Sequence, residues 1–141
     1  MSFAPPNSAK TYAQVGIETS VAAADPHGLI LMLFDGALLA IATAENAMQE
    51  GRIADKGKAI SRTIDIVASG LRASLNFSAA DELANRLAAL YDYMVARLLH
   101  ANLHNDRAAL QEVSRLLTEI KTAWEEIADD PAVASRNKAA A

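Results

Sequence analysis

The sequence contains no cysteine. Disulfide frameworks, thiolate metal sites, cysteine nucleophiles and c-type haem attachment are thereby excluded. Proline is scarce: positions 5, 6, 26 and 131 hold all of it, so none interrupts the long interval from Pro26 to Pro131. Such an interval suits long helices, since an internal proline removes a hydrogen bond and clashes with the preceding turn. Aromatic residues make up only 5% of the chain. Positive charge is in deficit, with a formal net charge of -4, so the chain lacks the electrostatic footprint of a nucleic-acid binder. The longest uninterrupted apolar run, Gly28 to Phe34, is closed by Asp35 and falls far short of the roughly 18–20 residues that span a bilayer. The opening segment, MSFAPPNSAK, has neither the basic start nor the apolar stretch of a secretory signal. No alternating run of β-branched residues marks a strand. These absences predict a cytoplasmic protein without membrane insertion, and 141 residues suit a single domain.

What is abundant is alanine. It accounts for 31 of the 73 hydrophobic residues that make up the 52% hydrophobic fraction. Alanine is the best helix former and the smallest packing unit, so the composition predicts an all-α protein with a modest core of large side chains.

The pattern along the chain divides it into an N-terminal arm over 1–24, a bundle over 25–128 and a disordered tail over 129–141. Within the arm, Ala9 to Val15 is predicted as a short helical turn carrying Tyr12 and Val15. The first long helix starts where Asp25 is an N-cap and Pro26 takes the first helical position. It runs to about Glu50, with Gly51 in the left-handed position beyond its end. Ile30, Leu33, Phe34, Ala37, Ile41, Ala44 and Met48 share one stripe at the 3.6-residue period. The second helix runs from about Ile53 to Leu75 on a stripe of Ile53, Ile60, Ile64, Val67, Leu71 and Leu75. Ser78 with Asp81 resembles a capping box for a third helix over about Ala79 to Leu103. Its inward residues are Leu83, Leu87, Leu90, Tyr91, Met94 and Leu98. Asn105 or Asp106 caps a fourth helix reaching about Ala128, with Leu110, Val113, Leu117, Ile120, Trp124 and Ile127 inward. Four helices joined by short turns predict an antiparallel up-down-up-down four-helix bundle. Two rows of small residues are expected to act differently. Gly36, Ala40, Ala44 and Ala47 let bundle helices approach, whereas Ala59, Gly70 and Ala73 leave room outside for a partner's helices.

Such bundles often host cofactors, but this one lacks the Glu-x-x-His pairs of di-iron carboxylate proteins. His100 and His104 have a spacing that suits zinc, yet no third and fourth ligand converges on them, so they read as a solvated pair near a helix C-terminus. His27, in the first turn of its helix, reads as a surface or capping residue. No nucleophile elbow, phosphate-cradling loop or Ser-His-Asp arrangement is present. The expectation is therefore no catalytic residue, no metal and no cofactor.

The unusual feature is apolar side chains off the core stripes. At 100° per residue, Met32 and Leu39 point away from the bundle centre, as do Ile66, Tyr93, Leu99 and Leu103 on their own helices. Single exposed leucines are ordinary. Several of them beside small residues predict grooves that another helix enters.

Several of these residues fall within a set of spaced motifs. Tyr12, Val15 and Glu18-Thr19 are followed by the run Asp25-Pro26-His27-Gly28-Leu29-Ile30-Leu31-Met32-Leu33-Phe34-Asp35-Gly36-Ala37. Further on stand Leu90-Tyr91-Asp92-Tyr93-Met94, Ala101-Asn102-Leu103, Asp106, Glu112-Val113 and Ala123-Trp124. Together, in this order and over about Tyr12 to Ile127, they resemble the flagellar secretion chaperone family FliS. Phe34 stands where that family usually has tyrosine, Ala79-Ala80 where it often has Gly-Gly, and Arg62-Thr63 where Lys-Ala is common.

The resemblance implies a four-helix bundle that binds the disordered C-terminal segment of flagellin in the cytosol. Holding that segment blocks premature polymerisation, and the complex is delivered to the flagellar type III export gate. On this reading, partner-binding residues are Tyr12, Met32, Leu39, Ile66, Tyr93, Leu99 and Leu103, with Tyr12 covering a groove in the free protein. Pro26, Asp35, Gly36, Tyr91, Asp92, Asn102 and Trp124 are motif residues. Asp35, Asp92 and Asn102 read either as structural caps and inter-helix bonds or as direct contacts. A regulatory or adaptor bundle that binds an anti-sigma factor is the alternative.

Overall fold

A computed structural model describes residues 25–76 and 81–127. The expected arm with Tyr12, the start of the third helix around Ser78 and Ala79, and the tail beyond Ile127 lie outside the described residues. Helix α1 spans Pro26–Gln49, α2 Ile53–Asp65, α3 Glu82–His104 and α4 Arg107–Glu126. No strand occurs among the described residues.

Local chemistry sets the helix ends. The Asp25 carboxylate accepts the Gly28 N–H at 2.6 Å, with Pro26 entering the first turn. Asp81 and Asp106 cap α3 and α4 in the same way, through Ala84 and Ala109. Asp81 is thus itself the N-cap, and α3 begins at Glu82 rather than at Ala79. Gly51 (φ 71°) and Asn105 (φ 54°) turn the chain after α1 and α3 in the left-handed conformation that reverses a helix end.

The expected second helix is present but not uniform. After Asp65, α2 continues as one helical run that widens into a π turn over Ile66–Leu71 and then tightens into a 3₁₀ turn over Arg72–Ser74. The Ser74 hydroxyl donates to the Gly70 carbonyl at 2.6 Å, satisfying a carbonyl near this change of pitch.

Contacts between helices fix their order and direction. Lys56, early in α2, donates to the carbonyl of Asn102 and to the side chain of Asn105 at the far end of α3. Arg97, late in α3, meets Glu112, early in α4. Arg107 at the start of α4 reaches Glu45 late in α1, while Trp124 at the end of α4 meets His27 at the start of α1. Gly36 and Leu33 of α1 face Ile66 and Gly70 of α2. Each helix therefore runs opposite to its neighbours, and α4 returns to α1 to close the ring.

The core fills the centre. Phe34, Ile41, Ile60, Met94, Leu98, Leu110 and Leu117 are fully buried, interleaved with Ala37, Ala44, Ala101 and Ala109. Each large side chain removed from water contributes about 1.5–3 kcal/mol. The Thr63 hydroxyl is also buried and donates back to the Ala59 carbonyl, so it strands no polar group. Among the described residues, α1 is the helix long and apolar enough by length and composition to cross a membrane. An eye for uninterrupted runs misses this, because Asp35 and Glu45 break the run. In the bundle, Phe34, Ala37, Ile41 and Ala44 seal one face of α1 in the core, and the two acids reach cations on α4.

Four sequence expectations need correction here. Ile127, expected inward on the last helix, is 38% exposed because it stands past the end of α4. Ile53 and Leu83, expected in core stripes, are 73% and 65% exposed because each begins its helix beyond the closed part of the bundle. His27, expected at the surface, is buried. Its ring stacks on Trp124 with centroids 4.7 Å apart, and Nε2–H donates to the Trp124 carbonyl at 2.5 Å. Trp124 Nε1–H donates back to the His27 carbonyl at 3.0 Å, so the pair clamps the start of α1 to the end of α4. The helical period places His27 beside the core but gives no sign of a tryptophan 97 residues away that satisfies it.

Candidate functional site

Two open grooves lie along α1 and α2. A groove of about 700 Å³ runs along α2 from Ile53 past Gly57 to Ile66 and Gly70, with Leu33 of α1 on its wall. A second groove of about 360 Å³ lies between Gly36, Leu39 and Ala40 of α1 and Ala59 of α2. The small residues make these grooves possible. A Cβ placed on Gly70 would come within 3.2 Å of Leu33 Cδ2, so α1 and α2 touch there through a glycine. A Cβ on Gly36 would meet Ile66 Cδ1 at an ordinary 3.4 Å.

The expected second row of small residues does not act as one outward surface. Ala59 is buried in the core, and Leu33 fills the space beside Gly70. Both serve the packing of α1 on α2, and only Ala73 is exposed.

The candidate partner-binding residues fall in three places. Met32 and Leu39, seven apart on α1, share the helix face turned from the core; Leu39 is 70% exposed and Met32 half-buried. Ile66 is half-buried in the wall of the larger groove. Leu99 and Leu103 stand exposed on the flank of α3 that also carries Asp92, toward α2. Tyr93 sits on the other flank of α3, toward α4, where its phenol donates to Glu112 at 2.6 Å. These residues do not converge on one pocket. Leu39 and Ile66 line neighbouring grooves, while the α3 residues lie on two separate faces.

The motif residues have definite structural surroundings. Asp35 pairs with Lys121 at 2.7 Å, joining α1 to α4. Asp92 takes the Arg72 guanidinium with both oxygens, joining α3 to the 3₁₀ end of α2. Asn102 offers its backbone carbonyl to Lys56 at 3.0 Å. Tyr91 is buried in the core, and burial pushes its phenol up to about 12. Trp124 belongs to the clamp with His27.

A polar network closes the α3–α4 side. Glu112 accepts from Tyr93 and Arg97, and these two bonds hold its carboxyl below the usual range. The bond to Glu112 holds the Tyr93 phenol above its usual value. Burial alone would raise Asp106, but the Ala109 N–H and the His100 ring outweigh it and the carboxyl is lowered. His100 lies 3.1 Å from Asp106 and 4.5 Å, ring to ring, from His104. Among the described residues no group of three or more His, Asp or Glu side chains is arranged to hold a metal.

Some contributors to this surface are not legible as such in the sequence. Leu33 packs against the core as its period predicts, and it also walls the larger groove, which the period does not show. Ile53 reads as core, yet it opens that groove at one end. Lys58 and Arg62, which line both grooves, carry only the signal of an ordinary solvated face.

Fold and surface define the class: a closed all-α four-helix bundle with open apolar grooves along its first helical hairpin. The sequence matches the family described as Flagellar protein FliS over residues 8–131, and the chain belongs to that family of flagellar secretion chaperones. It is 48% identical to the flagellar secretion chaperone FliS of Salmonella typhimurium over 118 residues, covering 84% of this chain and 87% of the relative. It is 46% identical to the FliS of Escherichia coli, covering 83% and 86%. The FliS of Bacillus subtilis is more distant, at 34% identity over 77% of this chain and 80% of its own length.

Proposed function

We propose that this protein binds the disordered C-terminal segment of flagellin in the cytoplasm, keeps it from polymerising and delivers it to the flagellar export gate. The observation that carries the reading is the pair of open grooves along α1 and α2, with further exposed apolar side chains on α3. Family membership supplies the class of client. Because the apolar residues are spread over several faces, the client wraps the bundle as short helices rather than filling one pocket. Fully burying four large side chains contributes roughly 6–12 kcal/mol before costs. Ordering the segment takes back about 2–5 kcal/mol or more, which leaves firm but reversible binding. Tyr12, outside the described residues, is assigned the role of covering a groove until the client displaces it.

Calorimetry of the full chain with a synthetic flagellin C-terminal peptide tests this. Met32→Asp with Leu39→Asp, and separately Leu99→Asp with Leu103→Asp, are expected to weaken binding at least about tenfold with circular dichroism unchanged. Undiminished binding by both variants would reject the assigned surfaces. A wild-type chain that does not bind the peptide would reject the client.

A further inference from the structure

Two cations on α2 stand apart from every other lysine and arginine among the described residues. Each of the others is held by a carboxylate or, for Lys56, by the Asn102 carbonyl and the Asn105 side chain. Lys58 and Arg62 are exposed and meet no hydrogen-bond or ion-pair partner among the described residues. They are four residues apart on one helix, so they lie one above the other on the same face. Both line the larger groove and the smaller one, forming a ridge between them. The nearby acids form no ion pair with this ridge. Asp55 is taken by Arg52 at 2.8 Å, and Asp65, on the wall of the larger groove, forms no ion pair with either cation. In a chain of net charge -4, two unpaired positive charges are thus set beside an apolar trough.

We propose that Lys58 and Arg62 select the client by charge: the segment that docks along α2 is an amphipathic helix whose apolar side enters a groove and whose carboxylate side chains, one turn apart, pair with the two cations. A helical turn rises 5.4 Å, so carboxylates at i and i+4 of the client match the spacing of Lys58 and Arg62. The apolar floor around Leu33, Ile66 and Gly70 supplies affinity. The cations supply the approach rate and fix which way round and in which register the helix settles. This deepens the flagellin reading and rests on it for the natural client, though not for the chemistry of the docking helix.

The test is calorimetry of the full chain against two probes, each at about 50 and 300 mM NaCl. One is the flagellin C-terminal peptide; the other is a designed amphipathic helix with glutamates at i and i+4 beside a leucine face. Wild-type affinity is expected to fall with salt for both probes. Lys58→Glu with Arg62→Glu is expected to weaken binding about tenfold at low salt and to remove most of the salt dependence. Both positions are exposed, so circular dichroism and urea unfolding stay unchanged. A designed helix with lysines in place of the glutamates is expected to bind the doubly reversed chain better than it binds wild type. Equal affinity and equal salt slope for wild type and the reversed variant, with either probe that binds, would overturn the proposal. Binding of the acidic helix but not of the flagellin peptide would instead reject flagellin as client and leave the charge rule standing.

Discussion

The two antiparallel seams α1–α2 and α3–α4 are built on opposite plans. Along α1–α2 the contact is made through small residues, with Gly36 against Ile66 and Gly70 against Leu33, and the surface beside it is left open as grooves. Along α3–α4 the outer surface is closed by polar bonds, with Glu112 held by Tyr93 and Arg97, and Asp106 by His100 and its own capping bond. The first seam spends its apolar residues on van der Waals contact and leaves charges unpaired. The second pairs its charges. A surface that keeps both bare apolar area and unsatisfied cations is suited to receive a chain; one whose charges are already matched offers a client less new pairing.

This contrast makes graded predictions. The largest effect is expected at the root of the first seam. Phe34 is fully buried in α1, and Phe34→Ala should lower unfolding stability by about 3–5 kcal/mol in urea titration. A loss under about 1 kcal/mol would mean that α1 is not packed as described.

The next effect is at the point where α1 and α2 touch. Gly70→Val adds atoms where a single Cβ already lies 3.2 Å from Leu33, and is expected to cost about 1–3 kcal/mol. Gly36→Ala meets only an ordinary contact at 3.4 Å and should be tolerated or slightly stabilising, because alanine favours a helix interior. If the two substitutions behave alike, the seam is looser than its geometry states.

The smallest effect is expected on the second seam. Glu112→Gln removes one acceptor and the charge of a partly exposed ion pair with Arg97, and a single such pair contributes little. Its signature is in pH. The folded carboxyl titrates below its ordinary value of 4.5, so its stabilising contribution is present above that value. It is lost as pH falls through the lowered folded value. The wild-type and Glu112→Gln urea midpoints should therefore differ at pH 7 and converge in acid. A gap that persists or widens in acid would show that Glu112 does not hold the seam electrostatically.

Much of this architecture was readable in the residues. Asp25 with Pro26, Gly51 and Asp106 mark helix ends by local hydrogen bonding and backbone preference, which depend on near neighbours alone. The 3.6-residue period found Phe34, Ile41, Ile60, Met94 and Leu117 for the same reason. The same period misplaced Ile53 and Leu83, since it reports the side of a helix but not whether the bundle is still closed at that height. The candidate apolar residues were found one by one, yet their division among two grooves and both flanks of α3 depends on which helices lie adjacent.

By itself the sequence determined four helices, their caps, their apolar stripes and membership in a chaperone family, because these follow from short-range chemistry and from spaced motifs. Only the tertiary structure decided that His27 is buried against Trp124, that Leu33 walls a groove, and that, among the described residues, Lys58 and Arg62 have no ion-pair partner while the other cations are held. Each of these depends on a partner from a distant part of the chain, or on the lack of one among the described residues. Helical periodicity carries no information about what stands opposite.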